Sequence, residues 1–234
     1  MTESNTEMID DLLKFKVMVV GDQGTGKSCI LNRFVNDKFD EQYQATIGLD
    51  FHSKNVEING HDIRLILYDT AGQEKFRSLI PMYIREAQVI LLIYDISNME
   101  SFNSINKWFT DVLDVKSTEA VYVLIGNKTD LESERKISSE QGQYLANEKN
   151  MIFSEVSAKT GSGFNELFEQ KIYPMIYKTF KLEFDRREII EGQEEDNEAE
   201  EGEGQETPNE VGGNKIKLDS NISGKAVKKK KKCC

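Results

Sequence analysis

The feature that most constrains this chain is the stretch from Phe15 to Ser28, FKVMVVGDQGTGKS. Its apolar, β-branched first half suits a short buried strand. It breaks into Gly21-Asp22-Gln23-Gly24-Thr25-Gly26-Lys27-Ser28, the G-x-x-x-x-G-K-S spacing of a phosphate-binding loop. Glycine is needed there because the backbone must turn tightly and aim its N–H groups at an anion. Cys29, Ile30, Leu31, Phe34 and Val35 continue at helical spacing, so the loop ends at a helix N-terminus, where the dipole favours negative charge. The phosphate-binding set is then Asp22, Gln23, Gly24, Thr25, Gly26, Lys27 and Ser28, with Cys29 just beyond. Lys27 reaches the terminal phosphates and the Ser28 hydroxyl holds Mg²⁺. The plainer alternative, a chance glycine turn, lacks the strand before and the helix after.

With 234 residues the chain has room for one full core. No apolar run approaches the roughly 20 residues of a membrane helix. The start, MTESNTEMIDD, is acidic and polar, unlike a signal or transit peptide, and points to the cytosol. Cys29, Cys233 and Cys234 make no disulfide framework. A net charge of −11 gives no support to nucleic-acid binding. His52 and His61 fall in or beside a hairpin and suggest surface strand positions, and no His/Cys cluster suggests zinc.

Residues 1–14 read as a flexible acidic lead-in and 37–48 as a loop. Strands are expected at 49–58 and 63–68 around Asn59-Gly60, a strong hairpin signal. A second glycine loop, DTAGQEKFRS, leads to a short helix near 77–86, then to a buried strand at 89–94. Ser97 and Glu100 have capping-box spacing and open a helix whose Phe102, Ile105, Phe109 and Val112 share a face, with Trp108 packing beside it. A strand at 121–125, a helix capped by Ser138 or Ser139, a strand at 151–156 and a helix from about Gly163 follow. Pro174 must end or kink that last helix. The expectation is an α/β fold: a mainly parallel six-stranded sheet with one antiparallel edge hairpin, helices on both faces, and ligands at the carboxyl ends of the strands. The folded domain is expected over 15–180. Past it, 188–210 is dominated by Glu with no basic residue, and the chain closes on Lys228–Lys232 and the Cys pair, so 181–234 reads as a disordered tail.

Asn127-Lys128-Thr129-Asp130 follows a buried strand. A buried carboxylate at Asp130 accepts two hydrogen bonds from guanine N1–H and its exocyclic amine. Adenine offers no such donor pair, and sites built this way discriminate by roughly 10⁴ to 10⁵. Asn127 braces the loops and Lys128 lies over the base; the alternative is a solvated turn. Ser157, Ala158 and Lys159 follow the last strand, where backbone N–H groups reach the base oxygen. Asp69 ends a strand and binds Mg²⁺ through water, Gly72 lets its N–H approach the γ-phosphate, and Gln73 orients an attacking water. Thr46 is the second hydroxyl for Mg²⁺. Thr46 and Gly72 would hold two loops until hydrolysis releases them.

GDQGTGKS, ATIGLDF, DTAGQEKFRS, NKTD and SAK together resemble the Ras-superfamily small GTPases. IGLDF, KFRSLIPMYIRE and the terminal Cys-Cys look like the Rab family, and RSLIPMYIRE followed by VILLIYDIS is most similar to the Golgi and retrograde-traffic subfamily. The resemblance covers about Phe15 to Ile176. It implies a GTP/GDP-binding, Mg²⁺-dependent, hydrolysing switch, with Gln73 and Lys27 in catalysis and Phe39 stacked on guanine. It further implies geranylgeranyl on Cys233 and Cys234 and an effector surface made by Phe51, Tyr68 and Tyr83. The partners it implies are an exchange factor, a GTPase-activating protein, a GDP-dissociation inhibitor, the prenylation machinery and GTP-dependent effectors. The protein would work as a monomer on the cytoplasmic face of Golgi membranes, with Lys228–Lys232 adding attraction to an anionic leaflet.

Two positions depart from that pattern. Tyr68 stands where Rabs usually carry Trp, and Gln23 occupies a loop position where glycine favours fast hydrolysis. The segment 37–50 contains no Arg, so slow turnover alone is expected, with acceleration of roughly 10³ to 10⁵ by charge supplied in trans. Two rivals compete with the switch. A non-hydrolysing membrane adaptor would keep nucleotide only for its shape, and a small-metabolite kinase would need an Arg-rich lid that the chain lacks.

Overall fold

A computed structural model describes residues 12–40, 49–70 and 80–187. The elements are β1 (Leu13–Val20), α1 (Lys27–Asn36), β2 (Leu49–Ile58), β3 (His61–Thr70), α2 (Ile80–Glu86), β4 (Val89–Asp95), α3 (Met99–Asn103) and α4 (Ile105–Val115). There follow β5 (Val121–Asn127), a 3₁₀ stretch at Thr129–Glu134, α5 (Ser139–Glu148), β6 (Ile152–Glu155), a π-helical stretch at Glu166–Ile172 and α6 (Tyr173–Thr179). Six strands form one sheet in the order β2-β3-β1-β4-β5-β6. Only β2 and β3 pair antiparallel; every other neighbour is parallel. The expected sheet is therefore the observed one.

The hairpin register runs Ile58↔His61 to Leu49↔Thr70, closed by Asn59 and Gly60 at φ 54° and 85°. Positive φ at both turn residues matches the twist of the strands, which is why Asn-Gly suits the site. β4 is buried at every position, as a strand covered on both faces must be. One apolar layer, with Phe15, Val17, Ile30, Phe34, Phe168 and Ile176, lies between the sheet and the helices α1 and α6. The other, with Met18, Leu92, Tyr94, Trp108, Phe109 and Phe153, fills the opposite face beneath α4 and α5. From β1 the chain proceeds to β3 on one side and later to β4 on the other. That reversal opens a crevice at the carboxyl end of β1, the place where such sheets bind ligands.

Three details differ from expectation. The helix after β4 is capped by Asn98, whose side chain accepts from the N–H groups of Glu100 and Ser101. Ser97 does not cap it because its own N–H and hydroxyl donate to Asp95 Oδ1, at 2.8 and 2.7 Å. Pro174 neither ends the last helix nor bends it alone. The π-helical stretch precedes it, with Tyr173 N–H donating to the Phe168 carbonyl five residues back. Loosening the winding there accommodates a ring that would clash in a regular α-turn. Helix then resumes through residues 181–187, because Phe180 and Phe184 bury against Phe15, with ring centroids 5.4 and 5.5 Å away. Described helix thus continues beyond residue 180, as far as 187. Ser138, rather than Ser139, caps α5, in a capping box with Gln141. No described helix is long and apolar enough to cross a membrane.

Candidate functional site: a phosphate loop clasped to a base loop

β1 delivers the chain to Gly21, whose φ of +146° and close approach to the Ile93 carbonyl leave no space for a Cβ. The loop then folds around a lysine. Lys27 Nζ donates to the carbonyls of Gly21 and Asp22, at 2.9 and 2.8 Å, and Thr25 Oγ donates to Asp22 O at 2.9 Å. Gly26, left-handed at φ 91°, begins α1, and no side chain caps that end. The first-turn N–H groups of such a helix are the ready donors for an anion. Lys27 is only 5% exposed, and burial draws its pKa down to about 8, against the opposing pull of the Asp69 and Asp22 carboxylates. A phosphate at the loop opposes that depression, because a neighbouring anion stabilises the ammonium.

Asp69, buried near the end of β3, and Ser28, in the first turn of α1, belong to the two segments that flank the crevice. A hydroxyl and a carboxylate acting through water are an oxygen donor set that suits Mg²⁺, which keeps several waters and takes few protein ligands. Accordingly, no group of three or more His, Cys, Asp or Glu among the described residues is needed to explain it, and none is placed to hold a metal. Thr46, Gly72, Gln73, Cys233 and Cys234 lie outside the described residues.

The second half of the site comes from β5. Asn127, 1% exposed, is the clasp between the two loops. Its Nδ2 donates to the Thr25 carbonyl at 2.8 Å, and its Oδ1 accepts from Ala158 N–H at 3.2 Å. Gly26 must lack a side chain because a Cβ would collide with that same amide. Lys128 adopts φ 70°, and its Nζ pairs with Asp95 Oδ2 at 2.6 Å. Ser157 Oγ donates to Asp130 Oδ1 at 2.6 Å, and Thr129 N–H donates to the Val156 carbonyl. Ser157 and Ala158 are buried, and Lys159 is exposed.

One expectation needs correction. Asp130 is exposed, because the 3₁₀ stretch carries it out of the core beyond the end of β5. Its selectivity for a donor pair therefore depends on a base covering it. Cys29, half-buried behind the loop, has its thiol pKa raised by burial, consistent with a packing role beside the phosphates. Gln23 is exposed on the loop. Phe39 packs, partly buried, against the α1 side of the core. Phe51, Tyr68 and Tyr83 meet on one face, with centroids 5.3 Å (Phe51–Tyr68), 5.1 Å (Tyr68–Tyr83) and 5.9 Å (Phe51–Tyr83) apart.

Sequence reasoning missed three supports. Arg33 on α1 ties the last loop down, with Nε donating to Ala158 O at 3.0 Å and Nη2 to Lys159 O at 2.9 Å. Asp95 holds Lys128, and Trp108, expected only to pack, also donates its Nε1–H to Asp22 Oδ1 at 2.8 Å. No local pattern announces any of them, since each acts on a partner far away in sequence. The sequence pattern of the Ras family matches residues 16–177, a span containing both loops and every strand from β1's second half onward. Since that match covers most of the chain and the two loops meet through Asn127, the protein belongs to the Ras family, whose domain is a GTP-binding switch.

Proposed function

We propose that this Ras-family chain is a Rab-type switch of vesicle traffic, acting in retrograde transport at the Golgi. It would sit on the cytoplasmic face of the membrane through geranylgeranyl groups on Cys233 and Cys234. The observation that carries the reading is the joined aromatic face of Phe51, Tyr68 and Tyr83. It spans β2, β3 and α2, the elements that in sequence flank the two segments expected to follow the nucleotide's outer phosphate, so an effector reading this face would sense their order. Phe51 is 52% exposed, an apolar ring offered to solvent where a partner would cover it. The IGLDF motif and the adjacent Cys233 and Cys234 after the lysine run support the same reading.

In hydrolysis the chain's work is placement and charge. Mg²⁺, held by Ser28 and Thr46 and by Asp69 through water, would supply positive charge to the phosphate oxygens. Lys27 would swing its three N–H donors from loop carbonyls to phosphate oxygens, and the α1 N-terminus would add its dipole. Gln73 would orient the attacking water. An exchange factor, a GDP-dissociation inhibitor and effectors would act on the same two loops, and an activating protein would supply the missing cation in trans.

The test is to image a tagged full-length chain with and without Q73L, and with Cys233 and Cys234 deleted. Golgi recruitment that strengthens with Q73L and vanishes with the deletion supports the proposal. A deleted form that still pellets with membranes refutes the anchor, and a location indifferent to Q73L refutes the switch. The exposure of Gln23 on the phosphate loop favours one second reading, a slowly hydrolysing adaptor. Phosphate release that stays slow with an activating protein present would select it.

A further inference from the structure

We propose that Trp108 is a positioning residue for the phosphate loop: its indole N–H holds the Asp22 carboxylate against α4, away from the bound phosphates. The proposal rests on the GTP-binding role of the loop and adds a residue from outside it. Trp108 lies among Ile105, Phe109 and Val112 on the buried face of α4, within the core layer of Met18, Val20 and Leu92. Its ring is thereby fixed, and its single donor reaches Asp22 Oδ1 at 2.8 Å across 86 residues of sequence.

Asp22 is the node of the loop. Its carbonyl accepts from both Lys27 Nζ and Thr25 Oγ, so its peptide plane sets where the lysine rests, while its side chain is tied by the indole. An acidic residue inside a loop built to receive phosphate is a like charge in an unfavourable place. A donor aimed at that carboxylate both neutralises part of it and fixes its rotamer. A hydrogen bond to a charged group is stronger than one between neutral groups, so an indole N–H suffices. Phenylalanine at position 108 would fill most of the same volume and lose only the donor.

The experiment measures dissociation of N-methylanthraniloyl-GDP from the full-length chain at fixed Mg²⁺, in W108F, D22N and the double variant. D22N removes the charge and keeps an oxygen that accepts. With Asp22 present, W108F is expected to speed release about tenfold, the lower end of what a hydrogen bond to a charged group contributes. In the D22N background the same change should speed release less than about threefold, because little like charge is left to restrain. Equal acceleration in both backgrounds would mean that the indole acts through packing alone, and no acceleration would mean that it does nothing for the loop; either overturns the proposal. Should W108F not fold, D22E compared with D22N decides: the longer side chain keeps the charge but moves it from its place against the indole, so faster release from D22E supports the tether, and equal rates overturn it. Failure of the unmodified chain to retain the GDP analogue would instead refute the nucleotide-binding reading itself.

Discussion

Replacing Gly26 by alanine tests the clasp between the two loops. At φ +91° any L side chain is strained, at a cost of about 1–2 kcal/mol. The added Cβ also collides with Asn127 Nδ2, so the amide must turn away from the Thr25 carbonyl and loosen its hold on Ala158 N–H. Each buried hydrogen bond lost removes about 0.5–1.5 kcal/mol, giving roughly 2–5 kcal/mol in all. Gly24 is the matched control, with φ +79° but nothing within 4 Å of its Cβ; G24A should therefore cost only the strain, about 1–2 kcal/mol. The assay is urea unfolding of nucleotide-stripped protein, so that lost affinity for nucleotide cannot contribute. G26A is expected to be less stable than G24A by about 1–3 kcal/mol. Indistinguishable midpoints and slopes for the two variants would refute the clasp.

Three further outcomes follow from the same geometry. Lys27, depressed by burial from 10.5 to about 8, binds fewer protons when folded than unfolded between those values. Its burial penalty is full below about pH 8 and is relieved as pH rises towards 10.5, so this group makes stripped protein more stable across that window. Phosphate binding has the opposite sign, and GDP affinity by titration calorimetry should fall about threefold between roughly pH 7.5 and 8.5; a flat profile would contradict a depressed Lys27. D130A removes the acceptor and the partner of Ser157, and competition binding should show preference for GTP over ATP falling by at least about 100-fold. R33A severs the ties to Ala158 and Lys159 and should lose about 1–3 kcal/mol of stability in denaturant while speeding GDP release severalfold.

What could be read from the chain beforehand was what local chemistry dictates. The Asn59-Gly60 turn, the Phe15–Ser28 strand–loop–helix unit and the alternation of strands and helices each carry their signal within a few residues. Lys27, Ser28, Asn127 and Asp130 stand out as candidates for the same reason, each lying inside a short motif. Ser97 illustrates the limit: its spacing to Glu100 fits a capping box, yet Asp95 two residues earlier takes both its donors, and Asn98 caps instead. Arg33, Asp95 and Trp108 were illegible as site residues because their partners Ala158, Lys128 and Asp22 come from other strands' ends, joined only by the sheet order. The exposure of Asp130 likewise depends on where the 3₁₀ stretch leaves the core.

The loosened winding ahead of Pro174 has a consequence for how this chain tolerates change. Phe164, Phe168, Ile172, Ile176, Phe180 and Phe184 recur every fourth position and are all wholly or partly buried. On a regular helix of 3.6 residues per turn, such a repeat would creep about 40° around the axis at each step, carrying the last rings to the far side. The slack turn, together with a second break at Phe180 (φ −109°, ψ 30°), offsets that creep and leaves Phe184 in the core over the sheet. Between Glu166 and Ile172 length is then as constrained as the buried side chains are: dropping a single residue there would swing Phe180 and Phe184 towards water, whereas exchanging a solvent-facing one would pass unnoticed.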